Sequence, residues 1–129
     1  MSGIPQTLAE LDFANLTTTG RKSGLPRTIE IWFAVDGKPG TVYLLSGGRA
    51  QSDWVKNITK EPSVSIELGH RTFAGVARIV EDGEEEDARA RRLLASKYQG
   101  WTEGKRLSGW ARTSLAVAID VDVRPRRRP

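Results

Sequence analysis

The densest concentration of groups that could do chemistry lies between Leu16 and Thr28. The string Leu16-Thr17-Thr18-Thr19-Gly20-Arg21-Lys22-Ser23-Gly24-Leu25-Pro26-Arg27-Thr28 gathers three cations, a set of hydroxyls and two glycines. A phosphate takes that combination: fork-shaped guanidinium donors, hydroxyl donors, and backbone amides that glycine lets turn inward. The same string is open to a plainer reading, a solvated basic loop between two strands. A second segment, Ser46-Gly47-Gly48-Arg49-Ala50-Gln51-Ser52-Asp53-Trp54, runs from a strand into a helix start. Unpaired N–H groups at a helix N-terminus favour an acceptor-rich ligand, and paired glycines let a flat ring approach the main chain. The Lys-Ser/Thr ending of a P-loop is missing, and a simple turn with a capped helix accounts equally for the glycines. A third segment, Tyr98-Gln99-Gly100-Trp101 through Trp110, sets aromatics among glycines, as a flap over a planar ligand would. Within it Trp110 is expected to anchor the loop to the core, while Trp32, further upstream, faces either solvent or a ligand cleft.

Other chemistries find no residues to carry them. The chain has no cysteine, which excludes disulfides and thiolate catalysis. Its one histidine, His70, sits in a predicted hairpin tip, far from any strained nucleophile turn, so neither an imidazole zinc site nor a Ser/His/Asp set is available. The acidic run Glu81-Asp82-Gly83-Glu84-Glu85-Glu86-Asp87 lacks the alternating spacing of a calcium loop and reads as a solvated helix start.

These segments must be held by a scaffold, and the hydrophobic pattern supplies one. Strands are expected at about Asp12 to Thr19, Thr28 to Val35, Thr41 to Ser46, Ser63 to Leu68, Arg71 to Glu81 and Thr113 to Val121. In the second, Ile29, Ile31, Phe33 and Val35 line one face, and Thr28, Glu30, Trp32 and Ala34 the other. Asp36-Gly37-Lys38-Pro39-Gly40 reads as a turn, and Gly69-His70 as a tight type II′ hairpin loop. A short helix capped by Ser52 or Asp53 runs to about Lys60, where Pro62 stops it, and a longer one spans Glu84 to Tyr98 with acids in its first turn. The order β-β-β-α-β-β-α-β, with short antiparallel connections, predicts a mainly β (α+β) fold, a closed or nearly closed six-stranded barrel with two flanking helices.

At 129 residues the chain is one domain's worth, expected over 1–123, with the Arg/Pro tail 124–129 expected to be disordered. Twenty Lys+Arg against 16 Asp+Glu give a net charge of +4. The bases cluster at Arg21-Lys22 with Arg27, at Arg89-Arg91-Arg92 and in the tail, a pattern that suits a small anion, a nucleic acid or no ligand at all. No apolar run is long enough to span a bilayer and the N-terminus has no export-type signal, so the cytosol is the expected compartment.

The residues from Leu16 to Arg27, followed by Leu45-Ser46-Gly47-Gly48 and by Trp54-Val55-Lys56-Asn57-Ile58 with Glu61-Pro62, resemble the deazaflavin-dependent nitroreductase family of the flavin-binding split-barrel superfamily. The resemblance covers roughly Leu11 to Val121 and implies a split barrel of the FMN-binding type. It implies that Arg21, Lys22 and Ser23 hold the phosphate and acidic tail of the deazaflavin coenzyme F-420. The strand Arg27, Thr28, Ile29, Glu30, Ile31 and Trp32 would line its ring. Further contacts would come from Leu45, Ser46, Gly47, Gly48, Arg49, Ser52, Asp53, Trp54 and Asn57. Tyr98 and Trp101 would match an aromatic cluster that flanks the substrate. The chain departs from many relatives in lacking a lysine between Ser46 and the glycines, in a shorter loop to Trp54, where Arg49 would replace the missing cation, and in a thinner aromatic cluster. FMN, which other superfamily members use, is the alternative cofactor.

The expected activity is hydride transfer between the reduced deazaflavin and a small electrophile: a nitroaromatic, a quinone or an enone. Such chemistry asks the protein chiefly to hold two flat reactants together, in keeping with the missing nucleophile and metal sets. The rival readings are an FMN flavoprotein, a cofactor-binding protein without catalysis, and a nucleic-acid module. The last is disfavoured because no strand carries an aromatic-basic stripe. A partly open barrel with apolar outer positions readily pairs with a copy of itself, so a homodimer is the protein partner to test.

Overall fold

The computed structural model describes residues 3–36 and 40–123. The expectations for the Asp36–Gly40 turn and for the tail after Val123 fall largely or wholly outside them. The strands are β1 (Ala14–Thr19), β2 (Pro26–Ile31), β3 (Ala34–Asp36), β4 (Thr41–Ser46), β5 (Ser63–Leu68), β6 (Arg71–Ile79) and β7 (Leu115–Val121). The helices are α1 (Gln6–Ala9), α2 (Asp53–Lys60), α3 (Glu85–Gln99) and α4 (Gly109–Thr113), with a 3₁₀ turn at Arg49–Gln51. The short α1 and α4 were not expected from the hydrophobic pattern, since a four- or five-residue helix has too few positions to show a period.

All pairings are antiparallel, in one seven-stranded sheet of order β2-β1-β5-β6-β7-β4-β3. The strand count corrects the expected six, and the reason lies at one place. The run expected as a single strand breaks at Trp32-Phe33 into β2, which pairs with β1, and β3, which pairs with β4. Those are the two edges of the sheet, so one nearly continuous segment joins both ends and curls the sheet round on itself. The predicted alternation survives the break: Ile29, Ile31, Phe33 and Val35 all pack against one core cluster, and Ala34 faces another.

That first cluster fills the barrel, with Leu16, Phe33, Val42, Leu44, Ile66, Val117 and Ile119 at its centre. The second lies outside, where Tyr43, Leu45, Ala116 and Ala118 of β4 and β7 meet Ala90 and Leu94 of α3. Strands β4 and β7 are therefore covered on both faces, and the outward alanines of β7 let the helix lie close. At the β5–β6 hairpin Gly69 has φ 61 and His70 is exposed, as a two-residue II′ loop requires.

The acidic run departs from its expected role as a solvated helix start. Asp87 is buried against Arg91, Glu86 accepts from Tyr43 and Arg78, and Asp82 bridges Arg49 and Arg91. Arg91 is thereby part of the structure, and Arg89 faces Asp36, so that cluster is no anion patch. Among the described residues no helix is long and apolar enough to cross a membrane.

Candidate functional site

The loop from β1 to β2 is built by its glycines. Gly20 N–H donates to Leu25 O, Gly24 N–H donates to Gly20 O, and Leu25 N–H donates to the Ser23 hydroxyl. A Cβ on Gly20 would stand 2.8 Å from Ser23 Oγ and 3.1 Å from Leu25 O, so only glycine lets the turn close this tightly. Helix α2 grips the loop from below through Asn57, which is 4% exposed. Its amide oxygen accepts from Arg21 N–H at 3.1 Å and from the Arg21 guanidinium at 2.9 Å, while its amide nitrogen donates to Thr18 Oγ1 at 3.0 Å. Arg21 also pairs with Asp53 at 3.2 Å, and Lys60 donates to Arg21 O.

A cavity of about 630 Å³ opens over this construction. It brings together Arg21, Lys22, Ser23, Arg27, Thr28, Ile29, Asp53, Trp54 and Asn57, along with Thr18, Gly20 and Pro26 of the same phosphate-type string. Arg21 is partly neutralised by Asp53, whereas Lys22 and Arg27 are exposed and have no carboxylate partner among the described residues. The floor thus combines uncompensated positive charge with hydroxyls and a glycine-shaped backbone.

A second cavity, about 490 Å³, lies further along β2. It is walled by Glu30, Ile31, Trp32 and Leu45, with Gln99 and Trp110 from the C-terminal side. Six consecutive residues of β2 and its end, Arg27 to Trp32, border one cavity or the other. At about 3.3 Å per residue they span roughly 17 Å. Trp32 is half exposed; its ring stacks on Tyr98 at 4.2 Å and meets Trp110 edge-on at 5.4 Å.

Two residues of α3 brace this wall. The Tyr98 hydroxyl donates to Asp12 O at 2.7 Å and accepts from Phe33 N–H at 3.1 Å. Lys97 Nζ donates to Phe33 O and Ala9 O, both at 3.0 Å, and sits 3.6 Å over the Phe33 ring. The break between β2 and β3 is therefore stapled on both sides of Phe33. Burial pushes the Lys97 ammonium down to about 8, against the milder opposing pull of Asp12, and burial raises Tyr98.

Several sequence-predicted residues lie elsewhere. Ser46 is buried, hydrogen-bonded to Ser52 at 2.6 Å and donating to Arg49 O, so both serines fold the loop and do not face a cavity. Gly48 lies against Ser52, while Gly47 faces Trp110. Arg49 turns to Asp82 and to Thr113 O, away from the cationic cavity, and does not supply the missing cation there. Trp101 donates to Lys105 O and closes its own loop. Trp110, expected only as an anchor, does pack on the outer core and also walls the second cavity. Its alternation with small residues could not distinguish those roles. Lys97 went unnoticed because a lone lysine on a helix normally faces water.

A small antiparallel barrel of this curled sheet and topology belongs to the split-barrel fold class. Comparison with known proteins makes the assignment specific. The chain belongs to the F420H(2)-dependent quinone reductase family, whose sequence model matches residues 1–122. It is similar to the F420H(2)-dependent quinone reductase Rv1261c of Mycobacterium tuberculosis, with 33% identity over 91 residues, 67% of this chain and 61% of that protein. The match thus spans about three-fifths of the curated relative's length. Among solved structures, the conserved hypothetical protein Rv2991 of M. tuberculosis superposes with a TM-score of 0.73 at 26% identity, covering 90% of this chain and 76% of that one. An F420-H2 dependent reductase, FDR-A, shares the fold with a TM-score of 0.60 at 23% identity, covering 84% and 93%.

Proposed function

We propose that this chain is a cytosolic reductase that binds the deazaflavin coenzyme F-420 and reduces a small electrophile of the quinone class. The observation that carries the reading is the pair of cavities bordered by consecutive residues of β2 and its end, one cationic and one aromatic, as the phosphate and ring ends of a long phosphorylated cofactor would need. The residues fit such a group, since Lys22 and Arg27 have no carboxylate partner among the described residues and stand beside Ser23. The family to which the chain belongs, and relatives such as Rv1261c, carry the cofactor and the quinone in their names.

When bound, the reduced deazaflavin supplies a hydride. Arg21, Lys22, Ser23 and Arg27 would hold the phosphate by charge-assisted hydrogen bonds. Thr28 to Trp32 and Leu45 would line the ring, and Trp32 and Trp110 would exclude water and keep a flat acceptor parallel to it. Tyr98 would act through Trp32: its hydroxyl is committed to Asp12 O and Phe33 N–H and its ring supports the wall. Positioning of this quality can lower a barrier by about 7–11 kcal/mol.

The test is a fluorescence titration of the protein with the deazaflavin coenzyme and with FMN side by side, followed by oxidation of the reduced coenzyme against quinones, nitroaromatics and enones. Tight deazaflavin binding with quinone turnover is expected. Arg21→Ala should weaken coenzyme affinity more than tenfold, since one charge-assisted contact is worth about 1.5–3 kcal/mol. An unchanged dissociation constant would remove that residue from the site, and preference for FMN would overturn the cofactor. A second copy of the chain is the proposed protein partner: Val76 and Ile79 leave apolar surface exposed on β6, and one structurally similar protein is described as a domain-swapped dimer.

A further inference from the structure

Helix α4 is too short to hold itself, yet it carries a wall of the aromatic cavity. Its N-terminus is capped by Ser108, whose hydroxyl accepts from Ala111 N–H. Its C-terminal carbonyls are captured from outside. Arg91 donates to Ala111 O at 2.9 Å and to Arg112 O at 3.2 Å, and Arg49 donates to Thr113 O. Three consecutive carbonyls thus meet two guanidiniums, and both guanidiniums bind one carboxylate. Asp82 pairs with Arg49 at 2.9 Å and with Arg91 at 3.2 Å.

Arg49 also terminates the Gly47-Gly48 segment, and Gly47 faces the Trp110 ring. With φ 52 it is the one described non-glycine residue in the left-handed region, a conformation that a residue with a Cβ holds only when its partners over-determine it. Arg91 is independently fixed by buried Asp87, so it forms the rigid half of the device. Arg49 and Asp82 form the exposed half, with side-chain exposures of 43% and 61%.

We infer that Asp82, bridging Arg49 and Arg91, is a positioning residue that holds Trp110 and the Gly47-Gly48 segment at the spacing the substrate requires. It touches neither cavity itself. The inference rests on the proposed role of Trp110 in keeping the acceptor parallel to the coenzyme ring. It assigns substrate affinity, not coenzyme affinity, to a carboxylate in the turn after β6, because none of Asp82, Arg49 and Arg91 borders the cationic cavity that would grip the coenzyme's phosphate, and the wall they hold, Trp110, is the one that would face the acceptor.

Asp82→Asn keeps size and removes the charge, so Arg91 keeps its pair with Asp87 while Arg49 loses its carboxylate. With menadione as the acceptor, KM should rise about five- to tenfold with kcat changed less than twofold, while the coenzyme dissociation constant stays within twofold, the pattern of lost ground-state binding. Because the Arg49–Asp82 pair is exposed, raising salt from 0.05 to about 0.5 M should raise KM in the parent and leave the variant flat. Asp82→Glu should restore part of the affinity. Acrylamide quenching of tryptophan emission should increase in Asp82→Asn without coenzyme or acceptor present. Unchanged KM and quenching would overturn the clamp, as would a parallel rise in coenzyme dissociation constant. If the parent protein turns over no quinone, the proposed function fails, and the quenching comparison still decides for or against the clamp.

Discussion

Replacing Asn57 with alanine is the sharpest test of how the cationic loop is built. The substitution deletes one acceptor that serves both the Arg21 backbone and its guanidinium, and one donor to Thr18. Asn57 and Thr18 are 4% and 2% exposed, so water cannot easily take over. One neutral hydrogen bond contributes about 1 kcal/mol, one to a charged group about 1.5–3, and an orphaned buried N–H costs about 1–3. These terms share partners and do not add fully, which makes about 3 kcal/mol a fair expectation. An unfolding entropy near 2.1 cal/mol/K per residue makes each kcal/mol worth roughly 4 °C in a chain of 129 residues, so Tm should fall by about 10 °C. Asn57→Asp retains an acceptor for Arg21 and can still accept from the Thr18 hydroxyl, so it should lose much less. Circular dichroism melts and coenzyme titration of both variants read the result. A shift below about 2 °C for Asn57→Ala, less than one ordinary hydrogen bond is worth, would refute the bracket. Destabilisation with unchanged coenzyme affinity would refute its link to the cavity.

Three further outcomes follow from the geometry. Lys97 has a folded value of about 8 against 10.5 ordinarily, so between those values the unfolded chain binds more protons and Lys97 makes stability rise with pH. Urea unfolding at pH 7.5, 8.5 and 9.5 should show a slope in the parent that is absent in Lys97→Met, and equal slopes would refute the buried placement. Glu86 is held down to about 2 by the Arg78 guanidinium and the Tyr43 hydroxyl, so its stabilisation is complete above its ordinary 4.5 and drains away as pH falls toward 2. Glu86→Gln should narrow the difference in Tm between pH 6 and pH 3, and an unaltered difference would count against that network. Gly20→Ala places a methyl against Leu25 O at 3.1 Å, so it should cost about 1–3 kcal/mol and loosen coenzyme binding, which melts and titration would check.

Much of this was readable along the chain, and the reason is local. Alternation at Ile29, Ile31, Phe33 and Val35 depends on period-two geometry that every extended segment shares, and the glycines at 20, 24 and 69 mark turns wherever they stand. The cationic loop was legible because its cations, hydroxyls and glycines are consecutive. By contrast, Arg21 and Arg49 look alike in sequence, and only packing turns one to Asn57 beneath the cationic cavity and the other to Asp82, away from that cavity.

The sequence by itself determined the strands, the long helix and the loop able to receive a phosphate, because each is set by neighbours within a few residues. Only the tertiary structure decided that Trp32-Phe33 would be the seam where both sheet edges meet, that Lys97 and Tyr98 would staple it, and that Trp110 would wall the cavity. The staple pairs groups 64 to 88 positions apart through contacts that exist only once the barrel has closed. Burial, which makes each such contact matter, is a property of the whole fold.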